Sequence, residues 1–255
     1  MRTVTTRFIR VLDRGVNTDA SAWAVARRDA WIGLIVPLVA MAGLVATLAV
    51  RPVFEWLTAE DSLTEWLQVL ALVAASIAYL RLALVLHRRA RRALALLCVG
   101  IAAGAFFVAG EEISWGQRLF GLALPEALAE LNKQDEINVH NIAPVQRLFW
   151  LGELAAGLYG AAVPIAVAMG FAKRLRDFPG YVIAPPLFLA SAFFLPFAYR
   201  AVRLFILPES GFVVTKLGEL PELTLYAAIA VTGIVCARRA ARELGREPVP
   251  APMLR

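Results

Sequence analysis

Cysteine and histidine are almost absent from the 255 residues, at two of each. Cys98 and Cys236 both lie within apolar runs, so a disulfide-stapled scaffold is excluded and both read as small packing residues. Alternation of apolar and polar residues at period two is missing, which argues against a membrane β-barrel. The first 29 residues hold no apolar core of signal-peptide length, so the first hydrophobic block is expected to remain in the membrane as an uncleaved anchor. No internal repeat is evident, and the PVPAP stretch at 248–252 reads as disordered. No soluble nucleic-acid-reading module accompanies the basic residues, so a pI of about 9.8 is not a nucleic-acid signal.

Apolar residues are present in excess. They make up 60% of the chain, the mean hydropathy is +0.66, and they gather into long blocks rather than at amphipathic spacing. A bilayer core about 30 Å thick needs roughly 20 apolar residues of helix. Six segments meet or approach that length: Ala30 to Val50, Trp66 to Leu86, Ala93 to Gly110, Leu148 to Ala172, Tyr181 to Tyr199 and Leu223 to Ala237. Backbone groups in lipid must bond within their own segment, which favours helices. The expected fold is all-α: a polytopic membrane protein of about six transmembrane helices over residues 30–237, with an N-terminal segment at 1–29 and a C-terminal tail at 238–255. RFIRVLDRGV, residues 7–16, could form a short amphipathic surface helix.

Basic residues set the expected orientation. Most of the 26 Lys and Arg fall before the first block, between blocks two and three (Arg88, Arg89, Arg91, Arg92), between four and five (Lys173, Arg174, Arg176), and after the sixth. The positive-inside rule then places both termini in the cytoplasm of a bacterial inner membrane. Acids follow the opposite pattern: Glu111, Glu112, Glu153, Glu219 and Glu222 belong to the outer side or its helix ends.

GEEISWGQRLFG at 110–121 closes the third block with two adjacent acids, an indole, an amide and a guanidinium. If the helix continues, Glu111, Trp115 and Arg118 share one face. LPEALAELNKQ at 124–134 then begins a short amphipathic helix expected to lie on the membrane surface, and DEINVHNIAP at 135–144 places His140 between Asn138 and Asn141 before the chain re-enters the bilayer. Glu153 lies one to two turns inside the fourth block, where an ionised carboxylate costs on the order of 3 kcal/mol unless paired or wet. Arg200 and Arg203 share a face at the end of the fifth helix, and Glu219 with Glu222 where the sixth begins. Charges at one depth on four helices suggest a polar, water-accessible network in the outer half of the bundle.

GEEISWGQR, a surface helix and then N-x-H-N in EINVHN resembles the signature of an uncharacterised family of bacterial multi-pass membrane proteins. The resemblance covers residues 110–141 and implies a marked site of Glu111, Glu112, Trp115, Gln117, Arg118, His140 and Asn141, without supplying a reaction. The glutamate pair followed by arginine is also similar to intramembrane prenyl-protein proteases. Here the spacing to Arg118 is longer, and the only other histidine, His87, falls on the cytoplasmic side, so that match is discounted.

Three functions remain open. Glu111, Glu112 and His140 are the residue types that bind a divalent metal or share general acid and base work, and they are the expected catalytic group. Trp115, Gln117, Arg118, Asn141, Arg200 and Arg203 are the expected substrate contacts, the arginines clamping an anionic head group such as a lipid phosphate. An enzyme acting on an envelope lipid or lipid-linked sugar would use all of them. The alternative is a structural or accessory subunit, in which these residues form a salt-bridge collar. A small-solute transporter ranks third, because polar groups are sparse through the inner half of the helices.

Overall fold

The computed structural model describes residues 2–59, 62–129, 131–132, 136–208 and 211–244, with the backbone alone at 2–11, 118, 127, 129 and 244. The described residues are all-α, without a strand. In order they form α1 (Arg2–Trp23), α2 (Arg27–Ala46), α3 (Arg51–Thr58), α4 (Leu63–Arg88), α5 (Arg92–Glu112), α6 (Gln117–Phe120), α7 (Glu126–Ala129), α8 (Ala143–Ala168), α9 (Ala190–Phe205), α10 (Phe212–Lys216) and α11 (Glu219–Leu244). Six helical segments are long and apolar enough to cross a membrane, and the chain is a multi-pass membrane protein. They centre on α2, α4, α5, α8, α9 and α11.

Exposed side chains agree with lipid as the solvent. Leu96 is 71% exposed and Leu84 62%, and they are two among many large apolar residues that water would leave unsatisfied. Small residues face inward. Ala102, Ala105 and Ala109 form a buried stripe on α5, packed against α4, and α4 in turn packs along α11. The other tight pair is α8 with α9, where Gly160 leaves the space that the Phe193 ring fills.

The helix boundaries differ from the apolar blocks for local reasons. Ser62 caps α4 by accepting the Glu65 amide at 3.4 Å, starting the helix before the apolar run. The fifth block is broken by Pro185 and Pro186, so 3₁₀ turns at Gly180–Ile183 and Leu187–Leu189 precede an α9 of 16 residues. Pro164 and Pro196 lie inside continuous helices. The surface helix expected over 124–134 is one turn, Glu126–Ala129, and residues 130 and 133–134 lie outside the described residues. The stretch at 248–252 lies outside them too.

The N-terminal amphipathic helix is longer than residues 7–16 and does more than rest on a surface. Val16, Ala20 and Trp23, at i, i+4 and i+7, are buried against the bundle. Asp19 between them accepts the Phe188 amide at 3.4 Å and the Trp23 indole N–H at 3.2 Å, tying α1 to the turn that opens α9. The bundle therefore has two distinct ends. One carries α1 and the arginines near residues 89, 176 and 239; the other, called here the acidic end, carries Glu112, Glu153, Glu219 and Glu222.

Candidate functional site

At the acidic end α5 stops at Glu112 and does not run on to Arg118. Ser114, Trp115 and Gly116 follow at φ of +47°, +52° and +80°, three successive left-handed residues of which only the glycine adopts that region freely. This turn folds Trp115 back over its own helix. The ring lies where a Cβ on Gly110 would stand 2.8 Å away, and the indole N–H donates to Oε1 of Glu111 at 2.7 Å. The pattern Gly-Glu-x-x-x-Trp-Gly is thus a helix terminator with each residue type fixed by a contact. The continuous face of Glu111, Trp115 and Arg118 does not form, because the left-handed turn intervenes.

The other oxygen of Glu111 holds the loop. Oε2 accepts the backbone amides of Val139 and His140 at 2.7 and 2.9 Å, and Glu111 is 1% exposed. Gln117 Oε1 accepts the Ile137 amide at 2.6 Å. Asn138 and Asn141 both donate to Oε2 of Glu136, at 2.6 and 3.1 Å, and Asn138 also reaches Ser114 Oγ at 3.3 Å. Asn132 donates to the carbonyls of Glu136 and Asn138, each at 2.8 Å. Loop 136–141 is thereby bonded across the end of α5 by donors and acceptors that the two motifs supply to each other.

The adjacent acids part company, as residues about 100° apart on a helix must. Glu111 serves the loop, whereas Glu112 accepts the Tyr226 hydroxyl at 3.1 Å and faces a cavity of about 220 Å³ among α4, α8, α9 and α11. His140 lines the same cavity, as do Asn141, Arg200 and Arg203. His140 Nδ1 lies 3.4 Å from Glu111 Oε2 and makes no hydrogen bond. Of the expected catalytic group, then, Glu112 and His140 share the cavity and Glu111 does not. Trp115 and Gln117 belong to the loop lock rather than to the cavity wall, and the Arg118 side chain lies outside the described residues. Among the described residues no group of three His, Cys, Asp or Glu side chains is placed to hold a metal, so a site built of Glu111, Glu112 and His140 is not formed. The reason is that both oxygens of Glu111 are already taken by three N–H donors.

Arg200 is the centre of the cavity's charged wall. Its Nε donates to Glu153 at 2.5 Å, its Nη2 pairs with Glu222, and its guanidinium lies 5.4 Å from the Trp150 ring. Lys216 stands 3.6 Å from Glu219, whose carbonyl accepts the Gln68 amide at 2.8 Å. Arg203, one turn on from Arg200, is different. It is 7% exposed and stacks on Trp150 at 5.4 Å, yet its Nε and Nη1 have no hydrogen-bond partner among the described residues. Buried guanidinium donors are rarely left in that state.

Tyr226, Trp150 and Gln146 also line the cavity and were not singled out from the sequence. Tyr226 was legible in principle: Glu219, Glu222 and Tyr226 follow at i, i+3 and i+7, a polar stripe on a helix that is otherwise apolar. No protein-family model, curated protein or solved structure matches the chain.

Proposed function

We propose that the acidic end is the outer face of a bacterial inner-membrane protein with both termini cytoplasmic, and that its cavity binds the head group of an envelope lipid or lipid-linked sugar. The observation that carries this reading is Arg203, a buried guanidinium with two open donors in the wall of a polar cavity. Those donors suit a phosphate oxygen. Arg200 is occupied by Glu153 and Glu222 and serves to shape the wall. Around the same cavity, Glu65, Glu112, Glu219 and Glu222 present acceptors that suit sugar hydroxyls, and Glu112 with His140 supplies groups for proton transfer. A phosphate carrying a sugar offers the acceptor oxygens and the hydroxyl donors that this divided wall asks for. The motif at 110–141, similar to that of uncharacterised bacterial multi-pass proteins, frames the cavity by fixing His140 and Glu112.

The test is thermal unfolding of the purified protein with glycerol phosphate. Ligand bound only to the folded state raises the melting temperature by mass action. The parent should respond, and Arg203→Gln, which loses only its stack on Trp150, should melt slightly below the parent without ligand and fail to respond. An equal response in both proteins would overturn the reading. Orientation is tested separately with single cysteines: Ala123→Cys should react with an impermeant thiol reagent on intact cells and Arg88→Cys should not.

One observation favours a second reading. The Glu153, Arg200 and Glu222 cluster is buried and satisfied, as a salt-bridge collar in an accessory subunit would be. Under that reading Arg203→Gln costs as much stability as Arg200→Leu, and no ligand shifts the parent.

A further inference from the structure

A second polar space lies at the opposite end of the bundle, beneath α1. It is a cleft of about 380 Å³. Its polar half is lined by Arg14, Thr18 and Asp19 of α1 together with Arg176 and Arg239, three guanidinium groups against one carboxylate. Asp19 is engaged in holding α1, its oxygens accepting the Phe188 amide and the Trp23 indole N–H, and it offsets part of the charge of the nearby Arg239. Arg239 is held rigidly: it lies 4.0 Å over the Tyr181 ring and 5.2 Å from the Trp23 ring, with Nη2 on the Arg176 carbonyl at 2.7 Å and Nε paired with Glu243 at 3.2 Å. Arg176 spends Nη2 on the Val167 carbonyl at 2.8 Å, and Arg14 is exposed with no partner among the described residues. The other half of the wall is apolar. Pro164, Val167 and Ala168 close the last turns of α8, and Ala184, Pro185 and Leu187 lead into α9. Both are membrane-spanning segments, so this half sits at the boundary of the hydrocarbon whichever face of the membrane it occupies.

A cationic half that meets an apolar half at the depth of the head groups matches one class of molecule. We infer that the cleft under α1 binds the phosphate-bearing head group of an anionic membrane lipid. Arg14 and Arg176 contact the phosphate oxygens, Arg239 with its Glu243 partner forms the fixed back of the cleft, and the acyl chains run along the Pro164 and Val167 wall. A free phosphate would use the arginines and leave the apolar half unfilled. Basic pockets between membrane helices bind acidic lipids on these grounds, each arginine contributing a severalfold gain in affinity.

The test is a titration of the delipidated full-length protein in uncharged detergent, followed by native mass spectrometry, with dihexanoyl phosphatidylglycerol and dihexanoyl phosphatidylcholine as probes. With the acidic-end cavity silenced by Arg203→Gln in every protein tested, the cleft should bind one phosphatidylglycerol in preference to phosphatidylcholine. Arg14→Gln and Arg176→Gln should each weaken that binding roughly fivefold. Thr18→Trp, which fills the cleft without changing charge, should abolish it. Arg14 holds nothing together in the free protein, so its variant keeps the test meaningful even where Arg176→Gln loosens the fold. Arg92→Gln, an exposed charge outside both cavities, serves as the control and should leave the binding intact. Equal binding of the two lipids, indifference to Arg14→Gln and Thr18→Trp, or loss of binding in Arg92→Gln would overturn the inference. Complete displacement by excess inorganic phosphate would assign the cleft to a soluble phosphate instead of a lipid.

Discussion

The carboxylate of Glu111 accepts the backbone amide of His140 at 2.9 Å, although the two residues are 29 positions apart. Glu111 therefore fixes the chain's path at a residue whose imidazole Nδ1 also lies 3.4 Å from the same oxygen. With the Val139 amide and the Trp115 indole it faces three N–H donors and no acceptor. A carboxylate, which only accepts, is the one side chain of this length that satisfies all three. The motif pair at 110–117 and 136–141 is thus a lock, and its product is the placement of Glu112 and His140 on the cavity.

Glu111→Gln should open that lock. The amide offers one acceptor oxygen, so its NH₂ group must face either the indole N–H or the two backbone amides. Leaving such buried donors unmet costs about 1–3 kcal/mol. His140→Ala keeps the backbone amide and should cost less than half as much. Thermal unfolding orders the two variants, and hydrogen exchange at residues 137–141 should rise in Glu111→Gln alone.

Gly110 and Gly104 lie on the same helix and should respond oppositely to alanine. A Cβ at 110 would stand 2.8 Å from the Trp115 ring, which must move and surrender its bond to Glu111, at a cost of about 1–3 kcal/mol. A Cβ at 104 meets nothing within 4 Å. Gly104→Ala should be neutral or stabilise by up to about 1 kcal/mol, the helix-propensity difference. Equal melting temperatures for the two variants would show that the ring does not rest on Gly110.

The membrane fold was legible because long apolar blocks have few alternatives in lipid. Helix ends were less so. Pro185 and Pro186 break the fifth block into a pair of 3₁₀ turns, whereas Pro164 and Pro196 give no break, and prolines alone do not distinguish these outcomes. The acidic end was recognised as a cluster from charges at one depth. What the sequence could not divide was Glu111 from Glu112: their separation depends on a left-handed turn at Ser114 and Trp115, residues that seldom adopt it. Arg200 and Arg203 looked equivalent for the same kind of reason. They share a face, but only the packing of α8 and α11 decides which one meets carboxylates.

Asp19 gives the fold a pH dependence at the end carrying α1. Burial between α1 and the turn at Leu187–Leu189 pushes its carboxyl up from 3.8 to about 6, against the opposing bonds from Phe188, Leu187 and Trp23 and the nearby Arg239. Between those values the folded protein holds a proton that the unfolded chain has released. Stability from this group is therefore full below about pH 4, falls as pH rises, and is lost above about pH 6, a difference on the order of 3 kcal/mol. Asp19→Asn should flatten this part of the stability profile, measured in detergent from pH 4 to 7. An unchanged slope would show that the carboxyl is hydrated and titrates normally.

Arg200 and Arg203 separate the collar from the binding site. Arg200 is 4% exposed and joins Glu153 to Glu222, so Arg200→Leu strands two buried carboxylates and should cost about 3–5 kcal/mol. Glu153→Gln retains an acceptor for Nε and leaves Glu222 to balance the charge, so its cost should be far smaller. Combining Arg200→Leu with Glu153→Gln and Glu222→Gln removes the orphaned charges and should recover much of the loss. Arg203→Ala breaks no ion pair; it removes a stack on Trp150, worth about 0.5–2 kcal/mol. Chemical denaturation of the four variants measures the difference. A loss in Arg203→Ala as large as that in Arg200→Leu would mean that Arg203 is held by charge within the wall. Its open donors would then be part of the collar, and the case for a head group in the cavity would fall with them.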